Sequence, residues 1–340
     1  MRLKSFKAIA LILFAVFALT LKSVAQQDVE ALFKANPQDA TKLIGAYLNP
    51  LMKGIGTGLN SGWYHTAKSK GTFKFEVRIS AAGALVPTSD QTYDVNKLGL
   101  TNIRPVNSSV SIGPTAFGED KLGAEVEVHA NNISLTKFRL PQGLGFNIVP
   151  TPQIQLTFGL PKNIDVMARY VPSIKINDEG KVGMFGLGAK VELLPLLMSN
   201  TAEKVTPFDV SFGFGYSHVN FDLALDVNNG KYKDQKIESK FSGFNMDATI
   251  SKKLAVFTPF ASLGYQTSTS KLNALGTYEF DNGIAKPVYT NPISINDDNF
   301  NGMRATVGFQ LKLAFFKLYS SYTAFKYNTV NAGISFGVGQ

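Results

Sequence analysis

The sequence predicts an all-β fold: a transmembrane antiparallel β-barrel of about 12 strands, within a range of about 10 to 14, with a short N-terminal helical segment. Three observations predict it. From Thr72 onward apolar and polar residues alternate one by one, as in "PFDVSFGFGYSH", where Phe208, Val210, Phe212, Phe214 and Tyr216 interleave with Asp209, Ser211, Gly213, Gly215 and Ser217. Successive strand side chains point to opposite faces, so each such segment owns one apolar and one polar face. Several segments approach the roughly 9–11 residues that cross a bilayer when tilted. Their connections alternate between short ("GLPKN", "SKKL", "AFF") and long polar ones, with "LLPLLMSNTAEKVT" as the exception. Outer-membrane barrels combine short periplasmic turns with longer external loops.

The chain opens with Arg2, Lys4 and Lys7, an apolar run from Ala8 to Leu21, and the small-residue site Ser23-Val24-Ala25. That order is a secretory signal peptide over 1–25, with a run shorter than the roughly 20 residues of a spanning helix. Taking Arg2, Lys4, Lys7 and Lys22 from the formal charge of +9 leaves +5 on the exported chain, too little to argue for nucleic acid. There is no cysteine, so no disulfide framework and no thiolate metal site. No later apolar run is long enough for a spanning helix.

Residues 26–62 form the helical segment, a candidate plug or hatch. Helix is expected from Asp28 to Met52 in two pieces, with Asn36 as cap, Pro37 at the first position and Pro50 closing the run. Leu43, Ile44, Tyr47 and Leu48 recur at helical spacing and make the hatch surface. Gly54, Gly56, Gly58 and Gly62 then read as a linker, and Trp63 and Tyr64 as an aromatic girdle anchor. Residues 63–340 are assigned to the barrel. "FKFEVRIS" is its first strand, "LGAEVEVH" and a weak segment within 84–113 are further wall strands, and the rest follow from Gln153. The C-terminus and the N-terminal helices are both expected on the periplasmic side, which requires an even strand count.

Charge on the lipid face costs roughly 2–4 kcal/mol at midplane. Lys74, Glu76, Arg78, Glu125, Glu127, Asp165, Arg169, Lys190, Asp247 and Arg304 are therefore the candidate lumen-facing charges. Tyr170, Tyr216, Tyr265, Tyr319 and Tyr322 fall near strand ends on the apolar face, as interfacial aromatics do. No catalytic or metal constellation emerges. His65, His129 and His218 lack a serine two residues on, and Ser217 lies on the opposite strand face from His218. Gly54-x-Gly56-x-Gly58 lacks the last glycine of a dinucleotide fingerprint. "DVNNGKYKDQKIES" fails the spacing of a calcium loop. No cofactor, no metal and no enzymatic activity are expected.

"AYLNPLMKGIGTGLNSGWYHTAKSKGTFKFEV" resembles the N-terminal signature of an uncharacterised family of Bacteroidota outer-membrane proteins, a domain of unknown function. "GPTAFGED", "QIQLTFGLPKNIDVMARYVPSI" and "VGMFGLGAKVELL" resemble its later blocks. The resemblance covers most of the mature chain and implies an outer-membrane barrel without implying an activity. The layout is also similar to fatty-acid-transporter-type barrels with a luminal hatch; Asn36-Pro37 matches a hatch motif there and Gln38 departs from it. Two readings follow. One is a plugged or gated pore, or a binding barrel, for a small or amphiphilic solute. The other is a structural or interaction barrel without transport. The partners of either are outer-membrane lipid and, during assembly, the barrel-insertion machinery.

Overall fold

The computed structural model describes residues 36–130, 133–176, 180–197, 206–225, 230–279 and 285–338. The expected signal peptide and the first piece of the expected helix lie outside the described residues.

Helix α1 runs unbroken over Pro37–Asn60. The Asn36 side chain accepts from Asp39 N–H at 2.9 Å, and Pro37 occupies the first turn, where a missing N–H costs nothing. The expected stop at Pro50 does not occur. The ring withholds a donor from the preceding turn, but Pro50, Leu51, Met52, Ile55 and Leu59 are all buried, and that packing holds the helix on course. In that turn the Tyr47 carbonyl also accepts from Ala116 N–H at 2.9 Å, which ties this part of the helix to the cap over the barrel mouth.

β1 (Phe75–Leu85) opens the wall. An excursion over 86–147 follows, with β2 (Thr92–Asp94) paired to β4 (Ile112–Pro114), while β3 (Ile103–Pro105) and β6 (Ile133–Arg139) flank β5 (Glu125–Ala130). The wall resumes with β7 (Ile148–Leu160), β8 (Ile164–Ile176) and β9 (Gly180–Glu192). After the one-turn helix α2 (Leu194–Leu197) come β10 (Asp209–Ala224), β11 (Lys236–Ser251) and β12 (Phe257–Leu275). A small hairpin of β13 (Thr277–Glu279) and β14 (Val288–Thr290) precedes β15 (Ile293–Leu313), β16 (Phe316–Ala324) and β17 (Thr329–Val338). β1 pairs with both β7 and β17, so the ten antiparallel strands close into a barrel.

Ten replaces the expected count of about 12. "LGAEVEVH" is β5, which pairs with β3 and β6 and with no wall strand. Its alternation has another cause: Val126 and Val128 are buried in a cap packed over the barrel mouth with Phe117, Phe138 and Leu140. The weak segment within 84–113 likewise supplies only three-residue strands to the cap. Two loops are shorter than they read, because β10 and β11, at 16 residues each, and β12 and β15, at 19 and 21, rise beyond the membrane-spanning length. The barrel thus has a turn end, with connections at 161–163, 252–256 and 314–315, and a loop end carrying the cap.

Along β10, Ser211, Gly213, Gly215 and Ser217 turn inward while Phe212, Phe214 and Tyr216 are exposed. Leu156, Val166, Leu187, Met246, Ile250, Leu263, Val307 and Phe309 continue that exposed apolar surface around the wall. Of the five tyrosines expected there, Tyr170, Tyr216, Tyr265 and Tyr322 are exposed. Tyr319 is not: the β16 register puts Lys317, Tyr319 and Ser321 on the inner face, where Tyr319 stacks on His65 with centroids 4.8 Å apart.

Candidate functional site: a plugged lumen and an incomplete wall

The lumen is filled by the chain's own N-terminal part. α1 begins beside the cap, not at the turn end where the helices were expected. Asp39 is fully buried and accepts from the backbone N–H groups of Thr101 (2.9 Å) and Asn102 (2.7 Å), and Lys42 donates to the Gly99 carbonyl. Leu43, Ile44 and Tyr47 are buried in a core shared with the cap and the upper wall, and Leu48 packs at its edge. Each fully buried side chain of this size contributes roughly 1.5–3 kcal/mol. Lower down, Gly54, Gly56 and Gly58 are helical, not a linker. A Cβ on them would collide with Val149, Ser268 and Thr151, so glycine is what lets the helix touch the wall.

Three arginines meet the helix where it ends. An α-helix leaves its last carbonyls unpaired, and partial negative charge gathers there. Arg169 of β8 donates to Leu59 O and Ser61 O, both at 2.8 Å. Arg304 of β15 donates to Asn60 O at 2.6 Å and pairs with Asp247 through Nε–Oδ1 at 3.0 Å. Arg78 of β1 reaches Gly62 O at 2.7 Å and Trp63 O at 3.2 Å. Trp63 and Tyr64 are therefore luminal, which corrects the girdle expectation. Trp63 is 1% exposed, packs where Cβ atoms are absent at Gly188 and Gly215, and carries the Arg169 guanidinium 3.9 Å above its ring. Tyr64 packs likewise on Gly213. No residue type distinguishes a luminal aromatic from a girdle one; the signal lay in the small residues of the facing strands.

Residues 65–71 then descend to the turn end between paired charges. Glu76 accepts from Lys70 (2.7 Å) and Lys317 (2.8 Å) and lies 3.4 Å from both Arg78 and His65. Lys190 bridges Asp165 (3.1 Å) to the carbonyls of Thr66 and Lys68. Glu192 holds Lys68 at 2.7 Å and Ser69 N–H at 2.9 Å. Of the ten candidate luminal charges, Glu76, Arg78, Asp165, Arg169, Lys190, Asp247 and Arg304 are inside and buried. Lys74 is exposed at the turn end, before β1 begins. Glu125 and Glu127 are in the cap, where Glu127 pairs with His129 at 2.7 Å, because β5 is too short to cross and does not join the wall.

One wall ladder is incomplete. β7 and β8 each have 13 residues, yet they pair only from Leu160↔Ile164 to Gln155↔Arg169. Above that step, among the described residues, no β7–β8 pair forms. The reason is in the sequence. Val86 N–H donates to the Asn147 carbonyl and Gly159 N–H to the Lys74 carbonyl, so odd-numbered β7 residues face β1 and even-numbered ones face β8. Pro150 and Pro152 are even, and proline has no donor to give. On the other side, β8 bulges between Val171 and Ile174, around Pro172. Pro152 and Ile154 are buried, so side chains close this seam where hydrogen bonds do not. Behind it lie Val149, Val171, Val182 and Met184, an apolar upper lumen.

A family of unknown function, DUF6588, matches residues 3–338. The chain belongs to that family. No curated protein matches the DUF6588 chain in sequence. Among solved structures it is similar to the outer-membrane protease OmpT of Escherichia coli, at 10% identity over 82% of this chain and 99% of that one, with a TM-score of 0.33. The attachment invasion locus protein Ail of Yersinia pestis is similar at 10% identity over 78% and 99%, TM-score 0.29. The toluene transporter TbuX of Ralstonia pickettii is similar at 8% identity over 84% and 97%, TM-score 0.20.

The seam was missed by sequence reasoning, although Pro150-x-Pro152 within an alternating strand signals it: proline in a wall strand marks an edge.

Proposed function

We propose that the protein is an outer-membrane barrel, plugged and closed at rest, that passes an amphiphilic solute sideways through the β7–β8 seam. The seam carries this reading. A ladder lacking hydrogen bonds is the part of a barrel wall that parts at least cost, and this one opens onto an apolar upper lumen, not an aqueous channel. The continuous exposed apolar belt supports a lipid surrounding, since soluble monomers rarely expose apolar surface on that scale. The closed state is supported by the luminal side chains at mid-height: Arg169 is 0% and Trp63 1% exposed, whereas a water-filled pore would leave its lining wet. Export through residues 1–25 fits the same location.

The test is a cross-link. Ile154→Cys with Tyr170→Cys places thiols at the next register step beyond Gln155↔Arg169. In proteoliposomes, a fluorescent long-chain carboxylate should enter with the pair reduced, be excluded after oxidation, and enter again after reduction. Uptake indifferent to oxidation refutes the seam as the route. No uptake by the reduced, folded protein favours the second reading, a sealed interaction barrel displaying its cap. The observation behind that reading is that all three luminal arginines are spent on holding the plug.

A further inference from the structure

His218 of β10 projects from the outer face, and Ser242 is its direct cross-strand partner on β11. Ser242 Oγ lies 2.8 Å from His218 Nδ1, and His218 Nε2 lies 2.9 Å from Asn220 Oδ1. A carboxamide oxygen only accepts, so with Asn220 Oδ1 facing the ring the matching tautomer carries its proton on Nε2 and presents the Nδ1 lone pair to the serine hydroxyl. The Tyr216 hydroxyl is 3.4 Å from the same Ser242 Oγ. A hydroxyl against a neutral imidazole, with the far nitrogen oriented by a third group, is the arrangement that activates a serine nucleophile.

Its height on the wall names the substrate. Below it on the outer face are Phe212, Phe214, Tyr216, Met246 and Ile250, all exposed and apolar. Above it are Asn220, Asp222 and Lys240, the last paired with Glu238 at 2.8 Å. The trio therefore sits where the apolar belt gives way to charged wall, the level at which a bilayer lipid carries its acyl esters.

We propose that Ser242, His218 and Asn220 form an esterolytic site on the outer wall that cleaves long-chain acyl esters of the surrounding lipid. Ser242 Oγ attacks the ester carbonyl carbon as its proton passes to His218 Nδ1, and the Tyr216 hydroxyl donates to the resulting oxyanion. The tetrahedral adduct collapses with loss of the lipid alkoxide, which takes the proton from Nδ1. Water, deprotonated by the same nitrogen, then releases the fatty acid and restores the serine. Asn220 is a positioning residue: it fixes the imidazole tautomer and touches no reacting atom.

The experiment uses the full-length protein in phospholipid vesicles, with and without lipopolysaccharide, and reads both fluorophosphonate labelling and fatty-acid release. The expected result is one adduct, mapped by peptide mass to Ser242, with release from at least one vesicle type; the vesicle type identifies the ester's source. Ser242→Ala should abolish both signals, and Tyr216→Phe should slow release at least tenfold with the adduct still at Ser242. Asn220→Ala should slow release, while Asn220→Asp restores it and moves the acid limb of the pH profile upward, which a merely structural contact would not do. An adduct elsewhere, or no adduct on protein whose heat-modifiable migration shows a folded barrel, overturns the assignment and leaves a polar seam at the belt's edge. Because the wild-type adduct is itself diagnostic, the result does not depend on any variant folding.

Discussion

Replacing Arg169 by Met should loosen the plug without unfolding the wall. The substitution removes two charge-assisted hydrogen bonds to the helix end, each 2.8 Å, and the stack 3.9 Å above Trp63. Two carbonyls left dry cost about 1–3 kcal/mol each, and a desolvated cation–π contact adds about 2 kcal/mol. Against that, the guanidinium no longer has to be stripped of water, which returns several kcal/mol. A net loss of about 3 kcal/mol corresponds to roughly 10²-fold more frequent release of the plug end. Amide hydrogen exchange read by mass spectrometry checks it: protection over 58–64 should fall by roughly that factor, while β15–β17 keep theirs. Arg169→Lys should fall between, because one ammonium cannot span two carbonyls in Arg's fixed fork. Unchanged protection at 58–64 would refute the idea that wall arginines hold the plug. Equal loss in plug and wall would refute the separation of the two.

Gly58→Val drives a side chain into Thr151, and overpacking of this kind costs about 1–3 kcal/mol; lower heat resistance of the folded band on electrophoresis should report it. Glu76→Gln leaves Lys70, Arg78 and Lys317 crowded in a dry site, a loss of about 3–5 kcal/mol that should appear as a lower urea midpoint. At the loop end, burial raises the Asp90 carboxyl, but hydrogen bonds from Lys53 and Tyr327 outweigh it and hold the group below the ordinary aspartate range. A depressed carboxylate stabilises in full above its unfolded pKa of about 3.9 and loses that contribution as pH falls through the lower folded value. Both partners are about a fifth exposed, so the effect is about 0.5–1 kcal/mol, and Asp90→Asn should flatten the acid limb of thermal stability by that amount.

The barrel was legible because alternation is a local property: Phe212, Phe214 and Tyr216 declare an apolar outer face whatever lies beyond them. Strand membership was not, because β5 alternates just as cleanly while covering the mouth of the barrel. An apolar face produces the same alternation whether it forms the outside of the wall, as in β10, or packs into a core, as in β5. The inward charges were legible in position but not in role. Nothing near Arg78, Arg169 or Arg304 in the sequence announces that the carbonyls of residues 59–63 will arrive beside all three. The glycines at 54, 56 and 58 misled in the opposite way. They read as freedom of the chain, whereas in the structure they are close contacts on a rigid helix, which also explains why Pro50 did not end it. The Ser242–His218 pair was invisible for a plain reason: the partners are 24 residues apart and meet only through register.

The path of the plug constrains how the barrel closes. The chain enters the lumen at the loop end, crosses it as α1, leaves at the turn end near Gly71 and only then becomes β1. β1 in turn pairs with β17, the last strand of the wall. The ring therefore cannot close until the whole wall exists, and once it closes the thread is trapped inside a closed ring of strands. Three arginines from β1, β8 and β15 then reach the same short stretch of backbone from different sides, which requires the thread to be in place as those strands take up their register. The weak β7–β8 ladder lies one strand from β1, so the strand that shuts the barrel is flanked on one side by a full ladder to β17 and, beyond β7 on the other, by the wall interface whose hydrogen bonds proline interrupts. Closure at the β1–β17 interface and the proposed lateral opening at β7–β8 thus fall close together in the wall, with only β1 and β7 between them.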